Sequence, residues 1–241
     1  MTVVFHLLTF KNMPIFEQLQ IEEALLRADN RNWCILNVGS PPAVVMGISG
    51  KQNQLINPAK MEQNPLPIIR RFSGGSTVVV DEHTCFYSLI GNRSMLDFPC
   101  YPEALLSWTE KLYAPAFSGI EFALRDNDYV IGNHKFGGNA QYISKERWLH
   151  HSSLLWDYKE GLMDYLLMPP KMPAYRQQRS HSSFLSGLSN YFDCKVSFNN
   201  KMLSAIENQF TLIPTSVESI ASILERDYRR FTRMENFSEN A

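Results

Sequence analysis

The sequence predicts an α+β protein in which a mixed, mostly antiparallel sheet is flanked by helices. β-Rich runs and amphipathic helical segments follow one another without the strict strand–helix alternation of a parallel sheet. With 241 residues, of which 44% are hydrophobic, the chain can bury one sizeable core. No repeat, linker or low-complexity tract divides the sequence, so we expect a single domain over residues 1–241.

Two β-hairpins are predicted in the first half of the chain, after a first strand in TVVFHLL. The runs NWCILNVG and AVVMGI are separated by Ser40-Pro41-Pro42, which is a turn signal. The runs STVVVD and TCFYSLIGN meet around Asp81-Glu82-His83. Short connections of this kind favour antiparallel pairing of each run with the next.

Three helices are predicted from apolar residues at helical spacing. The first lies in MPIFEQLQIEEALLRAD, where Ile15 and Leu19 are one turn apart. The second lies in YPEALLSWTEKLYAPAF, which has Pro102 near its start. The third, TSVESIASILERDYRRFTRM, has an acidic residue early and basic residues late, as the helix dipole favours.

Two strand-like segments follow the second helix, YVIGNHKFGGNAQYI with a turn at Gly132-Asn133, and WLHHSSLLWDY. Adjacent side chains of a strand point to opposite faces, so only one of His150 and His151 is expected to face a site. A metal site there would need additional nearby ligands, and the sequence offers none.

Composition and charge exclude several classes of protein. Lys and Arg total 23 against 24 for Asp and Glu, so no overall basic field favours nucleic acid as a partner. No apolar run approaches the roughly 20 residues that span a bilayer, and the N-terminal segment lacks the features of a signal peptide. The four cysteines include no Cys-x-x-Cys pair and are expected to be reduced, buried thiols. We therefore expect a cytoplasmic protein without nucleic-acid or membrane partners.

Two Gly-Gly segments, RRFSGGS and HKFGGNAQ, each carry cations beside their glycines. Glycine lets backbone N–H groups approach a ligand closely, and Arg offers a planar fork to phosphate or carboxylate. Neither segment fits G-x-x-x-x-G-K-[ST] or G-x-G-x-x-G, so a standard nucleotide fold is not supported. The segments predict either tight turns or a cradle for a phosphate-bearing or acyl ligand.

Lys135 and the pair Asn127-Asp128 are further candidates for chemistry. A fixed ammonium at Lys135 could bind an acyl carbonyl and a phosphate oxygen and stabilise charge during acyl transfer. Asn127 could recognise a base and Asp128 could bind Mg²⁺. The alternatives are a solvated surface lysine and ordinary turn residues.

An ordered set of segments resembles the lipoate-protein ligase A family, within the biotin and lipoate ligase superfamily. The segments span about residues 1 to 190 and are, in order, QIEEALLR, AVVMGISGKQNQLIN, RRFSGGSTVVVD, TCFYSL, NDYVIGNHKFGGNAQ and LHHSSLL. The resemblance implies a catalytic domain like those of class II aminoacyl-tRNA synthetases and biotin ligases.

The resemblance also implies a two-step reaction. Lipoate and ATP give lipoyl-AMP and pyrophosphate, and a lysine of an acceptor protein then displaces AMP. ATP and lipoate, or octanoate, are implied as substrates and Mg²⁺ as the metal, with no tightly bound prosthetic group. The implied acceptors are lipoyl domains of 2-oxoacid dehydrogenase complexes and the glycine-cleavage H protein.

The resemblance carries functional roles onto individual residues. Lys135 matches the family lysine that contacts the lipoyl carbonyl and the phosphate, Asn127 and Asp128 match a pair near adenine and Mg²⁺, and His151 matches the lipoate-side wall. The residues implied to bind substrate or nucleotide are Arg70, Arg71, Ser73, Gly74, Gly75, Ser76, Thr77, Val78, Val79, Asn127, Asp128, Gly137, Gly138, Ala140 and His151.

The chain departs from the family pattern RRxSGGGAVxHD at two positions, where Ser76 replaces the third glycine and Val80 stands in place of His. We also expect no C-terminal accessory domain, which leaves room for a separate accessory subunit. Three alternatives to a complete ligase remain open. They are a lipoyl or octanoyl transferase that uses a preformed activated donor, a transferase acting through a cysteine thioester, and a noncatalytic lipoate or nucleotide binder.

Overall fold

Two β-sheets form the framework of the protein. The computed structural model describes residues 2–169 and 172–238, and within them its strands are β1 (Val4–Lys11), β2 (Trp33–Val38), β3 (Ala43–Met46), β4 (Ile68–Arg70), β5 (Val78–Val80), β6 (Thr84–Asn92), β7 (Phe122–Arg125), β8 (Asp128–Ile131), β9 (His134–Ile143), β10 (Arg147–Leu155), β11 (Thr211–Pro214) and β12 (Arg233–Glu235). One sheet has the order β11-β1-β2-β6-β10-β9-β8-β7 and the other β12-β4-β3-β5. Strand β1 is parallel to β2 and β11, and β3 is parallel to β4. The other pairs are antiparallel, which confirms the predicted fold class.

Helices cover both faces of the larger sheet. The α-helices of the described chain are α1 (Ile15–Ala28), α2 (Gln52–Leu55), α3 (Pro58–Gln63), α4 (Pro102–Tyr113), α5 (Glu160–Met163), α6 (His181–Phe184), α7 (Lys195–Glu207) and α8 (Ala221–Leu224), of which α1, α4, α7 and α8 pack on the larger sheet. On one face Leu25 of α1 packs with Ile35. On the other face Leu105 of α4 and Phe198 of α7 pack with Cys34. The predicted helices α1 and α4 are thus confirmed, and no helix in the described ranges is long and apolar enough to cross a membrane.

The two hairpins predicted in the first half of the chain are wrong. Strands β2 and β3 lie in different sheets, and so do β5 and β6. Strands β2 and β3 instead form one bent arm, and β5 and β6 form a second. The two arms run antiparallel, with Val38 opposite Cys85 in one sheet and Ala43 opposite Val80 in the other. At the corner the backbone N–H of Ser40 donates to Asp81 O at 3.1 Å. The predicted turns are therefore crossings between the two sheets. The strands on either side of each turn pair with strands of the other arm and not with each other.

The predicted C-terminal helix is also wrong over most of its length. Residues 221–224 form the short helix α8, whereas Arg233–Glu235 forms strand β12 beside β4. The carboxylate of Glu23 accepts the backbone N–H groups of Phe231 and Thr232 at 2.9 Å. These long-range contacts outweigh the local helical periodicity, because they satisfy backbone donors in an extended conformation.

Candidate functional site

A cleft between the two sheets holds most of the residues that the sequence singles out. It has two connected lobes, of about 270 and about 790 Å³, which we call the small lobe and the large lobe. The residues that line both lobes are Gly75, Ser76, Val78, Val80, Asn127, Asp128, Lys135, Gly138 and Ser153. The glycine-rich loop, Lys135 and the carboxylate of Asp128 therefore lie together at the junction of the two lobes.

The loop after β4 is held open toward the cleft by a buried arginine. Arg71 donates from Nη2 to the carbonyl oxygens of Gly74 at 3.1 Å and Ser76 at 2.7 Å. Gly75 has φ +112°, and a Cβ there would lie 2.6 Å from Arg71 Nη2 and 2.9 Å from Asn139 O. Burial lowers the pKa of Arg71 to about 10, with Glu22 opposing the shift, so the guanidinium stays charged at neutral pH. The loop is a tight turn and a lining surface at once.

Arg70 and Ser73 do not line either lobe, although the sequence suggested both as ligand-binding residues. The Arg70 guanidinium instead binds both carboxylate oxygens of Glu235, at 2.5 and 2.8 Å. Ser73 is buried, and its carbonyl oxygen accepts the N–H of Ile48 at 3.1 Å. Paired arginines on successive residues of an extended chain point to opposite sides, so only Arg71 reaches the cleft.

The ammonium of Lys135 is oriented by the carboxylate of Asp128, which is in turn held by the hydroxyl of Tyr175. Its Nζ lies 2.7 Å from Asp128 Oδ1, and the hydroxyl of Tyr175 donates to Asp128 Oδ2 at 2.8 Å. Strands β8 and β9 form the predicted hairpin, and an irregularity at Tyr129/Val130 shifts their register. Lys135 and Asp128 thereby lie on the same side of the sheet, where both line the two lobes. The arrangement presents an oriented ammonium, with side-chain exposure of only 19%, to a ligand that crosses the junction.

The small lobe combines an apolar wall with a buried ionic network. Its apolar side chains are Ile15, Leu19, Val45, Val78, Val80, Phe86, Pro102, Leu106 and Ala140. His151 also lines it, and its Nδ1 lies 2.9 Å from Oε1 of the buried Glu22. Burial alone would raise the pKa of Glu22, but the charge and hydrogen bond of His151, with hydrogen bonds from Ser88 and Gln18, bring it below its ordinary value. Since Nδ1 binds Glu22, the Nε2 of His151 lies on the far side of the ring.

The expectation that only one histidine of the pair faces a site is confirmed. His150 points to the opposite face of the sheet, where Tyr129 Oη lies 3.2 Å and Ser152 Oγ 3.0 Å from its Nε2. Burial, followed by the charge of His151, lowers the pKa of His150 to about 3. His150 is therefore a neutral core residue outside the cleft.

Every other residue suggested for the site lines the cleft. The small lobe includes Gly74, Ala140 and His151 from this set, and the large lobe includes Thr77, Val79 and Gly137. Ser76 is not among the described residues with positive φ, so its side chain needs no strained backbone there. Val80 fills the apolar cluster around Ile15 and Phe86, where it packs between the sheets.

The sequence reasoning missed Glu22 and the segment that walls the large lobe. Glu22 follows Ile15 and Leu19 at helical spacing, which places a charged residue on the apolar face of α1. This unusual position could have identified Glu22 as a candidate from the sequence. Arg176, His181 and Phe184 also line the large lobe, and the last two lie in helix α6, which at four residues is too short to show a helical periodicity. Thr77 Oγ1 and His181 Nε2 are buried without a hydrogen-bond partner. Because buried polar atoms are normally paired, these two mark where a polar ligand would fit.

The donor set at Asp128 fits Mg²⁺ only when phosphate oxygens complete it. No group of three or more His, Cys, Asp or Glu in the described chain could hold a metal ion by itself. Mg²⁺ is commonly held by one or two carboxylates together with substrate phosphates. Asp128 supplies one such carboxylate in the shared wall of the lobes.

None of the four cysteines lines the cleft. Cys34, Cys85 and Cys100 are buried and free as expected, whereas Cys194 is free but exposed, which corrects the prediction for that residue. Burial raises the pKa of both Cys34 and Cys85 to about 12. A thioester mechanism needs an accessible thiolate, so these two thiols are unsuited to it.

Sequence comparison finds a family that covers most of the chain. The model of the lipoyl protein ligase A/B catalytic domain matches residues 14–211. A curated relative, inactive lipoate–protein ligase 2 of Plasmodium falciparum, is 26% identical over 246 residues, which covers 77% of this chain and 63% of the relative. The chain therefore spans less than two thirds of the length of that relative.

Solved structures share the fold. The bi-partite lipoate protein ligase of Thermoplasma acidophilum, from a study that includes its E2 lipoyl domain, gives a TM-score of 0.76 at 15% identity, over 93% of this chain and 91% of the other. A crystal structure of lipoate-protein ligase A bound with ATP gives a TM-score of 0.76 at 16% identity, over 93% of each chain.

Proposed function

The chain belongs to the lipoyl protein ligase A/B catalytic-domain family, and from this premise we propose that it is an ATP-dependent lipoate–protein ligase. In the proposed reaction it converts lipoate and ATP to lipoyl-AMP and pyrophosphate. It then transfers the lipoyl group to a specific lysine of an acceptor protein.

One observation carries the proposal: the oriented ammonium of Lys135 stands where the two lobes of the cleft meet. The small lobe has the narrow apolar wall that suits an alkyl chain and dithiolane, and the large lobe has the volume and cations that suit a nucleotide. A molecule that occupies both lobes would place its acyl phosphate beside Lys135. The two lobes and the lysine together fit an acyl adenylate better than either substrate alone.

The residues of the cleft suit both half-reactions. In the first, a carboxylate oxygen of lipoate attacks the α-phosphorus of ATP, and the bond to the pyrophosphate oxygen breaks. In the second, the acceptor amine attacks the acyl carbon, AMP leaves with the bonding electron pair, and the amine loses a proton as the amide forms. Lys135 and the charge of Arg71 would stabilise the negative charge that develops on carbonyl and phosphate oxygens.

Mg²⁺ would be held by Asp128 and phosphate oxygens, and would neutralise charge on the leaving pyrophosphate. The proposed acceptors are lipoyl domains of 2-oxoacid dehydrogenase complexes and the glycine-cleavage H protein. We further propose that residues 1–241 act as one catalytic domain, in the cytoplasm, where a reducing environment suits the four free cysteines. Residues 1, 170–171 and 239–241 of that range lie outside the described chain.

A transferase that uses a preformed donor is the second candidate, and it is favoured by the relationship to a ligase that is named inactive. In that case the chain would transfer the acyl group from lipoyl-AMP and would fail to make the adenylate from ATP. A separate accessory subunit would then restore adenylation. The apolar small lobe and Lys135 would serve this reaction equally well.

One set of incubations separates these functions. The purified chain is mixed with an apo lipoyl domain and with either ATP, Mg²⁺ and lipoate, or synthetic lipoyl-AMP, and the acceptor is followed by intact mass. A complete ligase gains the lipoyl mass in both mixtures, and a transferase only in the second. A noncatalytic binder gives neither product, and that result would overturn the proposal. Replacing lipoate by octanoate in parallel measures the acyl preference, and Cys-to-Ser variants with full transfer would exclude a thioester route.

A further inference from the structure

The last described residues, 231–238, form an extended segment that we call the C-terminal strap. Its start is held by Glu23, whose carboxylate accepts two backbone N–H groups of the strap. Its end is held by Gln52, which donates to Asn236 O at 3.1 Å and accepts from Ser238 N–H at 3.0 Å. Between these anchors β12 pairs with β4. The strap is therefore docked along its length by contacts with residues far away in sequence.

Arg70 joins the strap to a second segment, the 47–50 loop. The guanidinium binds both oxygens of Glu235 on the strap side, and Glu235 and Arg70 side chains are only 14% and 11% exposed. On the other side Nη1 donates to the carbonyl oxygens of Gly47 and Ile48 at 3.2 Å and of Gly50 at 2.7 Å. Three carbonyl oxygens of one short loop thus converge on a single nitrogen. Glu235 sets the direction in which that nitrogen points.

The 47–50 loop in turn touches the ligand-binding machinery. Ser49 and Gly50 line the large lobe. Gly47 lies so close to Gly75 that a Cβ at Gly47 would meet the Gly75 carbonyl oxygen at 2.2 Å. The N–H of Ile48 also donates to Ser73 O at 3.1 Å. A shift of the 47–50 loop would therefore move both a wall of the large lobe and the turn at Gly75.

We propose that Glu235 is a positioning residue for the large lobe. It holds the Arg70 guanidinium, Arg70 holds the 47–50 loop, and the loop fixes the wall of the lobe against Gly75. The identity of the ligand as a nucleotide rests on the function proposed above, whereas the effect on the loop does not. Arg70 thereby affects ligand binding although it lies outside the cleft.

The test compares Glu235→Ala with Arg233→Ala. Arg233 Nη2 lies 2.9 Å from the same Glu235 carboxylate, but its side chain is 57% exposed and makes no hydrogen bond to the 47–50 loop among the described residues, so it is a matched control. We measure hydrogen exchange of the backbone amides of Ile48 and Gly50, and KM for ATP and for lipoate in acceptor modification. Glu235→Ala should speed exchange of these amides and raise KM for ATP about tenfold, the scale of a lost hydrogen bond to a charged group. KM for lipoate should change less than KM for ATP, because the small lobe meets the 47–50 loop only through Gly75, whereas Ser49 and Gly50 line the large lobe directly.

Glu235→Gln, which keeps a hydrogen-bond acceptor at the same position, should fall between wild type and Glu235→Ala in both readouts, and it replaces the alanine variant if that one does not fold. Unchanged amide exchange in the Glu235 variants, or equal effects of Arg233→Ala, would overturn the inference. Faster exchange with an unchanged KM for ATP would also overturn it, because the loop would then not set nucleotide binding. If wild type modifies no acceptor, the proposed ligase function fails, and amide exchange with direct ATP titration still decides the role of Glu235.

Discussion

Lys135 and Asp128 form an ion pair of 2.7 Å across the β8–β9 hairpin, at the junction of the two lobes of the cleft. Tyr175 holds the second oxygen of the carboxylate, so the ammonium is oriented before any ligand arrives. An oriented charge needs no reorganisation when negative charge develops on a bound substrate. The pair therefore links the local geometry of one hairpin to the proposed acyl transfer.

Lys135→Ala should reduce lipoyl transfer about 100- to 1,000-fold, the range seen when one preorganised donor to a developing oxyanion is removed. The melting temperature should change little, because Lys135 contributes charge to the cleft and its side chain adds little to the core. Transfer is measured by intact mass of the acceptor. Lys159→Ala is the control, since that lysine is 59% exposed and pairs with Glu82 outside the cleft. Near-normal modification by Lys135→Ala would contradict the assignment.

The neighbouring glycines Gly74 and Gly75 should respond differently to alanine. Gly75→Ala forces a left-handed φ on a residue with Cβ and overlaps Arg71 Nη2, so it should lower the free energy of unfolding by about 1–3 kcal/mol. A Cβ at Gly74 meets its nearest atom, Gln141 O, at 3.8 Å, so Gly74→Ala should stay within about 1 kcal/mol. Urea unfolding of the two variants gives both values. Equal losses of stability would count against the loop geometry.

Glu22→Ala should lower the free energy of unfolding by about 3–5 kcal/mol, because it removes a buried carboxylate that binds His151 Nδ1 and accepts hydrogen bonds from Ser88 and Gln18. Glu17, an exposed acidic residue of the same helix, provides the control, and Glu17→Ala should change stability by less than about 0.5 kcal/mol. Denaturant unfolding at neutral pH measures both. A small effect at Glu22 would mean that the pair does not hold the inner wall of the small lobe.

Because of His150, the free energy of unfolding should decrease as the pH is lowered below about 6.5, which is the ordinary pKa of an unfolded histidine. Its pKa in the folded protein is lowered to about 3, so between these values the unfolded chain binds a proton that the folded chain does not. The free energy of unfolding then decreases by up to about 1.4 kcal/mol per pH unit from this group. His150→Gln should flatten the pH dependence between pH 6.5 and 4.5, relative to wild type. His134→Gln, which replaces a histidine at an exposed position, is the control variant.

Much of the cleft could be predicted because its components are local in sequence. The Gly-Gly segments, the turn at Gly132-Asn133 and the alternation of His150 and His151 depend on residues a few positions apart. Lys135 and Asp128 are only seven positions apart, and one hairpin brings them together. Glu22 was not predicted as a residue of the site. Its partner His151 lies 129 positions away, and only the folded structure shows that the carboxylate is paired.

Periodicity and turn chemistry over short distances were enough to predict the α+β class and helices α1 and α4. The residues suggested for the site came mainly from short motifs that resemble the family, and all of them except Arg70 and Ser73 line the cleft. Three features emerge only in the folded protein: β2 and β3 belong to different sheets, residues 233–235 extend as a strand, and Arg71 lines the cleft while Arg70 binds Glu235. Each of these outcomes depends on hydrogen bonds and ion pairs between residues far apart in the chain. Such contacts form only when folding brings their partners together, and their combined free energy then overrides the local preference of the segment.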